Sequence, residues 1–193
     1  MAEPVPEFRF QPVDGWRSLE RRERASIQLL VVHRIEVSQE DSSYGDTAEE
    51  VARFFRMHPV GVQATGGAMP YPILVERGGH IVQTVPLDRV TPHARAYNAT
   101  SIGLSCIGDF RWRHPEPAQY RGLVDLCAAL CRALSLSSGA IKAHDELSGG
   151  SHDPDKQCPG GNLPLDVLRS DVDRCLAREV AAFDFRWTGD DAS

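Results

Sequence analysis

The sequence has no long apolar run. Among its 193 residues no stretch approaches the ~20 apolar residues that a membrane-spanning helix needs, so we expect no membrane insertion. The N-terminus, MAEPVPEFRF, lacks a basic segment followed by an apolar one, and therefore predicts no secretory signal. We expect a chain that is made in the cytoplasm and reaches any external target by another route.

Basic charge is also scarce. The chain has 21 lysines and arginines against 27 acidic residues, a net charge of −6, and its one dense basic run is RRER at 21–24. An acidic chain without a basic stripe argues against nucleic acid as a partner. A negatively charged substrate would have to be held by local groups.

Cysteines are few, odd in number and unevenly spaced, which argues against a framework of paired disulfides. Cys127 and Cys131 lie four residues apart in a helical pattern, a spacing that favours packing. We expect Cys106, Cys127, Cys131 and Cys175 to be reduced, and mostly buried as small apolar side chains. Cys158 differs, because it lies in the polar loop DPDKQCPGG.

Short apolar segments alternate with helical patterns, which predicts an α/β domain with a mixed central sheet flanked by helices. Predicted strands are SIQLLVVH, a hairpin in YPILVERGGHIVQTVP, SIGLSCIG and AIKAH. Predicted helices are GDTAEEVARFFRMHP, EPAQYRGLVDLCAALCRALSL and PLDVLRSDVDRCLAREVAAF, with the first followed by a Gly-rich loop, GVQATGGAMP. We divide the chain into an irregular N-terminal arm at 1–26, the main domain at 27–180 and a tail at 181–193.

Two histidines end predicted strands. His33 follows QLLVV and His144 follows AIKA, and the ends of strands are where open α/β sheets place their sites. Cys158 comes fourteen residues after His144, in a loop long enough to fold back. Two imidazoles and a thiolate could hold a catalytic zinc and leave its fourth position open. Residue types alone are a weak signal, because a strand-end histidine can equally be a hydrogen-bonded core residue.

Longer motifs add a resemblance to a known family. VVH, YPILVERGG, PHARAYNATSIGLSCIGDF, KAHDEL and DKQCPG occur in the order found in the zinc-dependent N-acetylmuramoyl-L-alanine amidases. This family includes the amidase-type phage lysozymes and the peptidoglycan recognition proteins. The resemblance covers roughly residues 27–176, and YNATSIGLSCIGDF and KQCPG are its most specific parts.

The resemblance implies a zinc site at the edge of the sheet, with His33, His144 and Cys158 as ligands. It implies hydrolysis of the amide bond between N-acetylmuramic acid and the L-alanine of the stem peptide. Zinc would polarise the carbonyl and lower the pKa of bound water towards ~7. The implied partner is peptidoglycan or a soluble muropeptide, and we expect a monomer.

The same resemblance assigns four further residues. Tyr71 would point its hydroxyl into the metal site, and Lys156, two residues before the third ligand, would be a cation beside the metal. Both are implied catalytic residues. His93 and Asn98, in PHARAYN, would contact substrate. Tyr71, Lys156 or His93 could protonate the leaving amine.

The chain departs from the family pattern near the site. Arg34 follows the first histidine at the position where many relatives have a second histidine. Ser105 lies near the position where some cytosolic relatives have a glutamate. HDEL replaces the usual sequence after the second ligand. The 145–157 loop is longer than usual and contains His152, Asp153 and Asp155, any of which could compete for the metal. Asp155 is the main rival to Cys158 as third ligand.

Three other interpretations stay open. The chain could bind muropeptide without cutting it, or be a cysteine hydrolase with Cys158 as nucleophile and His144 or His152 as base, or have no site. An amidase of this kind could be a phage endolysin released through a holin, a secreted antibacterial effector, or an enzyme that recycles cytosolic muropeptides.

Overall fold

The computed structural model describes residues 6–35, 46–147, 157–178 and 181–189. In these ranges the strands are β1 (Phe8–Phe10), β2 (Leu29–Ile35), β3 (Ile73–Val75), β4 (Ile81–Gln83), β5 (Ser101–Ile107) and β6 (Ile141–Ala143). The α-helices of the same ranges are α1 (Ala48–Met57), α2 (Pro59–Thr65), α3 (Pro117–Leu134), α4 (His144–Leu147) and α5 (Leu165–Leu176). Within these described ranges no helix is both long and apolar enough to cross a membrane.

One mixed sheet carries the domain, in the strand order β1-β4-β3-β5-β2-β6. β3 and β4 form the predicted antiparallel hairpin, and all other pairings are parallel. Val32 pairs with Ala143, so His33, two residues before the end of β2, lies beside His144, the first residue after β6. The parallel register therefore brings both histidines to the edge of the sheet at which the parallel strands end. The prediction of an α/β fold is confirmed.

Each face of the sheet has its own apolar cluster. Every residue of β5 is buried, and its side chains alternate between the two faces. Ile102 and Leu104 pack in the cluster beneath α3 and α5. Ile107 packs on the opposite face, with Val51 of α1 and Trp16. The site lies on the α1 face, because His33 and Ile35 alternate with the residues that face α3.

The first helix is followed at once by a second, where the sequence predicted a Gly-rich loop. α1 begins with a capping box between Thr47 and Glu50. It ends at His58, whose ring accepts a hydrogen bond from the N–H of Val60 and so caps α2, with Pro59 in the first turn. The prediction missed α2 because seven residues carry too short a pattern.

The N-terminal arm is not irregular throughout. β1 pairs in parallel with β4 and forms an edge of the sheet. Phe8 stacks on Phe183 of the tail at 5.4 Å and contacts Phe185 edge-on. α5 ends at Leu176, several residues before the predicted end. In the tail, the carbonyls of Arg186 and Trp187 accept hydrogen bonds from the N–H groups of Leu87 and Asp88. Arm and tail therefore cover one edge of the same domain.

Gln119 ties the first turn of α3 to the sheet. Its side-chain amide donates to the backbone carbonyls of Val75 and Ile107, at 3.1 and 2.9 Å, and it is 1% exposed. These are the last residues of β3 and β5, so one side chain satisfies both strand ends.

We predict that Gln119→Leu lowers the free energy of unfolding by about 1–3 kcal/mol, because two buried carbonyls lose their donor. Chemical denaturation measures this change. Gln63→Leu, at an exposed position of α2, is the matched control and should change stability little. Equal effects of the two substitutions would contradict the assigned role.

Candidate metal centre

Three side chains from separate parts of the chain meet at the edge of the sheet. His33 is supplied by β2, His144 by the start of α4, and Cys158 by the loop before α5. One ligand atom from each lies within 4.8 Å of the others. The Sγ of Cys158 is 3.8 Å from Nδ1 of His33, and the two imidazole rings are 4.7 Å apart. The structure thus brings together the three residues that the sequence indicated as ligands.

The donor set fits zinc. Ligands at the corners of a tetrahedron around zinc, with normal Zn–N and Zn–S bonds, lie about 3.3–3.6 Å apart. The 3.8 Å between Nδ1 of His33 and Sγ of Cys158 is close to this spacing. Burial lowers the pKa of His33 well below its usual value, and the neighbouring His93 and His144 add to this effect. Burial also lowers the pKa of His144, against the opposing charge of Asp145. Both imidazoles are therefore neutral at pH 7, as metal binding requires.

The thiol of Cys158 is suited to a cation and not to nucleophilic attack. Burial raises its pKa to about 11, while the backbone N–H and the guanidinium of Arg34 favour the thiolate. A nucleophilic cysteine has a lowered pKa and is ionised near neutral pH. These properties weigh against the cysteine-hydrolase interpretation, and a bound metal would supply the missing stabilisation of the thiolate.

Asp145 connects the second ligand to the third. Its Oδ2 accepts a hydrogen bond from the N–H of Cys158 at 2.7 Å, and its own N–H donates to the carbonyl of Cys158 at 3.1 Å. Asp145 directly follows His144. The two hydrogen bonds therefore fix the spacing of His144 and Cys158. They also give a structural reason for HDEL, the sequence that departs from the family pattern at this point.

Arg34 performs a similar task from the first ligand. Its Nε donates to the carbonyl of Gln157 at 2.9 Å, and its Nη1 lies 3.5 Å from Oδ1 of Asp109. The side chain is only 9% exposed. A guanidinium that is buried against a carbonyl and a carboxylate crosses from β2 to the residue before Cys158. Arg34 thus links the strand that carries His33 to the residue before Cys158.

Gly160 seats the ligand loop on the turn after β5. Its φ is +111°, and a Cβ at this position would lie 2.5 Å from the carbonyl carbon of Phe110, so only glycine fits. Asn162 strengthens the contact by donating to the carbonyl of Arg111 at 2.9 Å. The Pro-Gly turn after Cys158 therefore holds the thiol against the edge of the sheet.

Tyr71 lies beside the first ligand. Its ring centre is 4.9 Å from that of His33, and Phe55 of α1 packs edge-on against it. Burial raises the pKa of the Tyr71 phenol, the nearby Cys158 raises it further and Arg34 opposes the rise. The phenol therefore stays protonated at neutral pH and can donate a hydrogen bond at the site.

His93 and Asn98 make internal contacts. His93 is 8% exposed and its Nδ1 lies 3.2 Å from Nε2 of His33. The Oδ1 of Asn98 accepts hydrogen bonds from the N–H groups of His93 and Ala94, at 3.0 and 2.6 Å. The structure places the His93 ring behind a ligand and not on an open surface, so the substrate contacts of both residues stay a prediction.

Several residues of interest lie outside the described ranges. These are the predicted catalytic Lys156 and the possible rival ligands His152, Asp153 and Asp155. Ser105, by contrast, is described: it lies opposite His33 in the β2–β5 register and is fully buried. Its hydroxyl has no hydrogen-bond partner among the described residues.

A cleft of about 490 Å³ opens beside His144. It is lined by the 94–97 turn and by Leu147, and its charged group is the guanidinium of Arg95. Arg95 lies near enough to lower the pKa of His144 further. The cleft therefore lies directly next to the ligand cluster.

Comparison with known proteins shows which family and which solved folds this chain is similar to. The family model for N-acetylmuramoyl-L-alanine amidase matches residues 23–161. No curated protein matches the sequence.

Solved structures share the fold. The endolysin N-acetylmuramoyl-L-alanine amidase LysCS from Clostridium intestinale URNW is 16% identical, with a TM-score of 0.62 over 89% of this chain and 99% of that one. A selenomethionine derivative of AmpD is 23% identical, with a TM-score of 0.64 over 86% and 94%. The complex of peptidoglycan recognition proteins LCa and LCx with tracheal cytotoxin gives 22% identity and a TM-score of 0.60 over 83% and 94%.

We predict that Asp145→Ala weakens zinc binding about 10- to 100-fold, because the loop that carries Cys158 loses the acceptor that fixes it. Competition with a chromophoric chelator measures the affinity. Asp173→Ala, on the exposed side of α5, is the matched control and should leave the affinity unchanged. Wild-type affinity in the Asp145 variant would contradict the connection drawn between the two ligands.

We predict that zinc binding releases about one proton per ion near pH 7, because the Cys158 thiol, with a pKa of about 11, is protonated in the metal-free protein. The two histidines are already neutral and release none. Apparent zinc affinity should therefore rise about tenfold per pH unit between about pH 7 and 9. Calorimetry in buffers of different ionisation enthalpy counts the protons.

Cys158→Ala should remove this proton release, and Cys175→Ala, which changes a thiol outside the site, should keep it. Zinc binding to the wild-type protein without a released proton would mean that the thiol is not a ligand.

Proposed function

The chain belongs to the N-acetylmuramoyl-L-alanine amidase family, and on this basis we propose that it is a zinc-dependent amidase. The bond cleaved is the amide between N-acetylmuramic acid and the L-alanine of the peptidoglycan stem peptide. One observation carries the proposal: His33, His144 and Cys158 lie within 4.8 Å at the sheet edge with a spacing and donor set that fit zinc. A binding protein of this fold would not need an intact ligand set.

Zinc at these donors would supply the Lewis acidity that a poorly electrophilic amide carbonyl needs, and would make water a better nucleophile. The remaining work falls to the side chains. Tyr71 keeps its proton at neutral pH and lies beside His33, so its hydroxyl can donate to the oxyanion that develops on the carbonyl.

The leaving amine must receive a proton when the C–N bond breaks. Tyr71 and Lys156 are the two candidates that we retain. His93 is a poorer one, because its ring is buried behind His33 and burial lowers its pKa to about 4. Such an imidazole is neutral near pH 7 and has no additional proton to give.

The cleft beside His144 is where the stem peptide would lie. Its Arg95 could pair with a carboxylate of the peptide, an interaction that a net charge of −6 on the chain would not otherwise favour. We propose peptidoglycan or a soluble muropeptide as substrate. The biological setting we propose is that of an endolysin, an antibacterial effector or a recycling enzyme.

The experiment that tests this function combines metal analysis with product release. The purified protein is incubated with purified peptidoglycan and, separately, with a soluble muropeptide, before and after chelation. Mass spectrometry then detects stem peptides with a free L-alanine N-terminus. About one zinc per chain with chelator-sensitive release supports the amidase. Zinc without release from either substrate would instead favour a binding protein. If the protein contained no zinc and released no stem peptide, the proposed site would be refuted.

We predict that Tyr71→Phe and Lys156→Ala each retain zinc but lower kcat about 10²- to 10³-fold, because each removes a group that stabilises charge in the transition state. Steady-state kinetics with the soluble muropeptide measures the loss. The chain has only two lysines, so Lys142→Ala is the matched control for Lys156. Tyr120→Phe serves the same purpose for Tyr71. Full activity in either site variant would remove that residue from the catalytic set.

A further inference from the structure

His93 and His33 form a buried pair of imidazoles. Nδ1 of His93 lies 3.2 Å from Nε2 of His33, and the two rings are nearly perpendicular, at 84°. Nδ1 of His33 is the nitrogen that lies 3.8 Å from the Sγ of Cys158. One edge of the His33 ring thus faces the ligand cluster and the other faces His93.

Ser101 extends this series of hydrogen bonds on the other side of the His93 ring. Nε2 of His93 lies 3.2 Å from the hydroxyl oxygen of Ser101, and this hydroxyl donates to the carbonyl of Tyr97 at 2.5 Å. A serine hydroxyl has a single hydrogen. Once it is given to the carbonyl, the oxygen of Ser101 can only accept, and therefore Nε2 of His93 must be the donor.

The remaining hydrogens follow from that one. The His93 ring is buried, and among the described residues its two nitrogens face His33 and Ser101 and no carboxylate that would stabilise a cation. Its imidazole is therefore neutral, and a hydrogen on Nε2 leaves Nδ1 bare. A bare Nδ1 can only accept, which places the hydrogen of His33 on Nε2. The nitrogen of His33 left without a hydrogen is Nδ1, the one that faces Cys158 and His144.

The fold reserves space for this pair. A Cβ on Gly103 of β5 would lie 2.8 Å from Cγ and 2.9 Å from Nδ1 of His93, so the ring rests where only glycine leaves room. Asn98 fixes the backbone of His93 by accepting its N–H, and Arg22 in turn donates to the carbonyl of Asn98 at 3.0 Å. The position of the His93 ring is therefore set by several independent contacts.

We propose that His93 is a positioning residue that fixes the tautomer and the orientation of His33, so that Nδ1 is presented to the metal. The inference deepens the proposed function, and it rests on the zinc site proposed there. A partner that holds the second nitrogen of a ligand imidazole typically contributes 10- to 100-fold to metal affinity. His93 acts through His33 and need not touch substrate.

Two substitutions test the proposal. His93→Phe keeps a ring of similar size but removes the acceptor, whereas His93→Gln can still accept from His33 and donate to Ser101. We expect the Phe variant to lose about 10- to 100-fold in zinc affinity and the Gln variant to recover part of the loss. His80→Phe, at a turn far along the hairpin, is the matched control and should bind zinc as the wild type does.

Nitrogen-15 NMR of the metal-free protein gives a readout that needs neither zinc nor activity. The expected result is a single Nε2–H tautomer of His33 in the wild type and a mixture in the Phe variant. If the Phe variant does not fold, Ser101→Ala replaces it, because loss of the hydroxyl frees His93 to exchange tautomers.

Zinc affinity and the tautomer spectrum together distinguish failure of the proposed function from failure of the role proposed for His93. A wild-type protein that binds no zinc refutes the proposed function, while the tautomer spectrum still decides the role of His93. An unchanged His33 tautomer, or zinc affinity within about twofold of wild type in the Phe variant, overturns the positioning role.

Discussion

The parallel register of β2 with β6 is the constraint on which the site depends. It places His33 and His144 next to each other at the edge of the sheet, because each directly follows one member of the buried pair Val32 and Ala143. A strand that is buried on both faces cannot slip by one residue without turning its apolar set outward, so this register is strongly specified by the core. The two imidazoles are therefore set in place by packing, before any metal binds.

Cys158, the proposed third ligand, lies in a loop and not in a strand, and its position is fixed by polar contacts. Asp145 binds the backbone of Cys158 from one side, Arg34 binds the preceding carbonyl from another, and Gly160 rests on the turn after β5. Each contact starts from an element that also supplies or adjoins a histidine ligand. The geometry of the loop is thus coupled to that of the sheet, and the cost of burying a thiol and two imidazoles is offset when a cation binds them.

The sequence predicted the fold class, the hairpin and the long helix, because these depend on local apolar periodicity and turn residues. It also indicated His33, His144 and Cys158, which lie in short motifs and which the structure brings within 4.8 Å of one another. Their role as zinc ligands stays a prediction. It missed β1 and α2, since three or seven residues carry too weak a period, and it assigned α5 too many residues. The roles of Asp145 and Arg34 could not be predicted, because their partners are backbone groups brought near only by folding. His93 was expected at the substrate, and only the three-dimensional contact across 60 residues reveals its place behind His33.

The central claim is that His33, His144 and Cys158 hold one zinc ion. Zinc K-edge X-ray absorption of the purified, zinc-loaded protein tests it most directly, because sulfur and nitrogen are resolved by distance. We expect one sulfur at about 2.3 Å and nitrogen or oxygen neighbours at about 2.0–2.1 Å, two of them with the outer-shell pattern of imidazole. A first shell of nitrogen and oxygen alone, without sulfur, would contradict the assignment of Cys158 and with it the account of the loop.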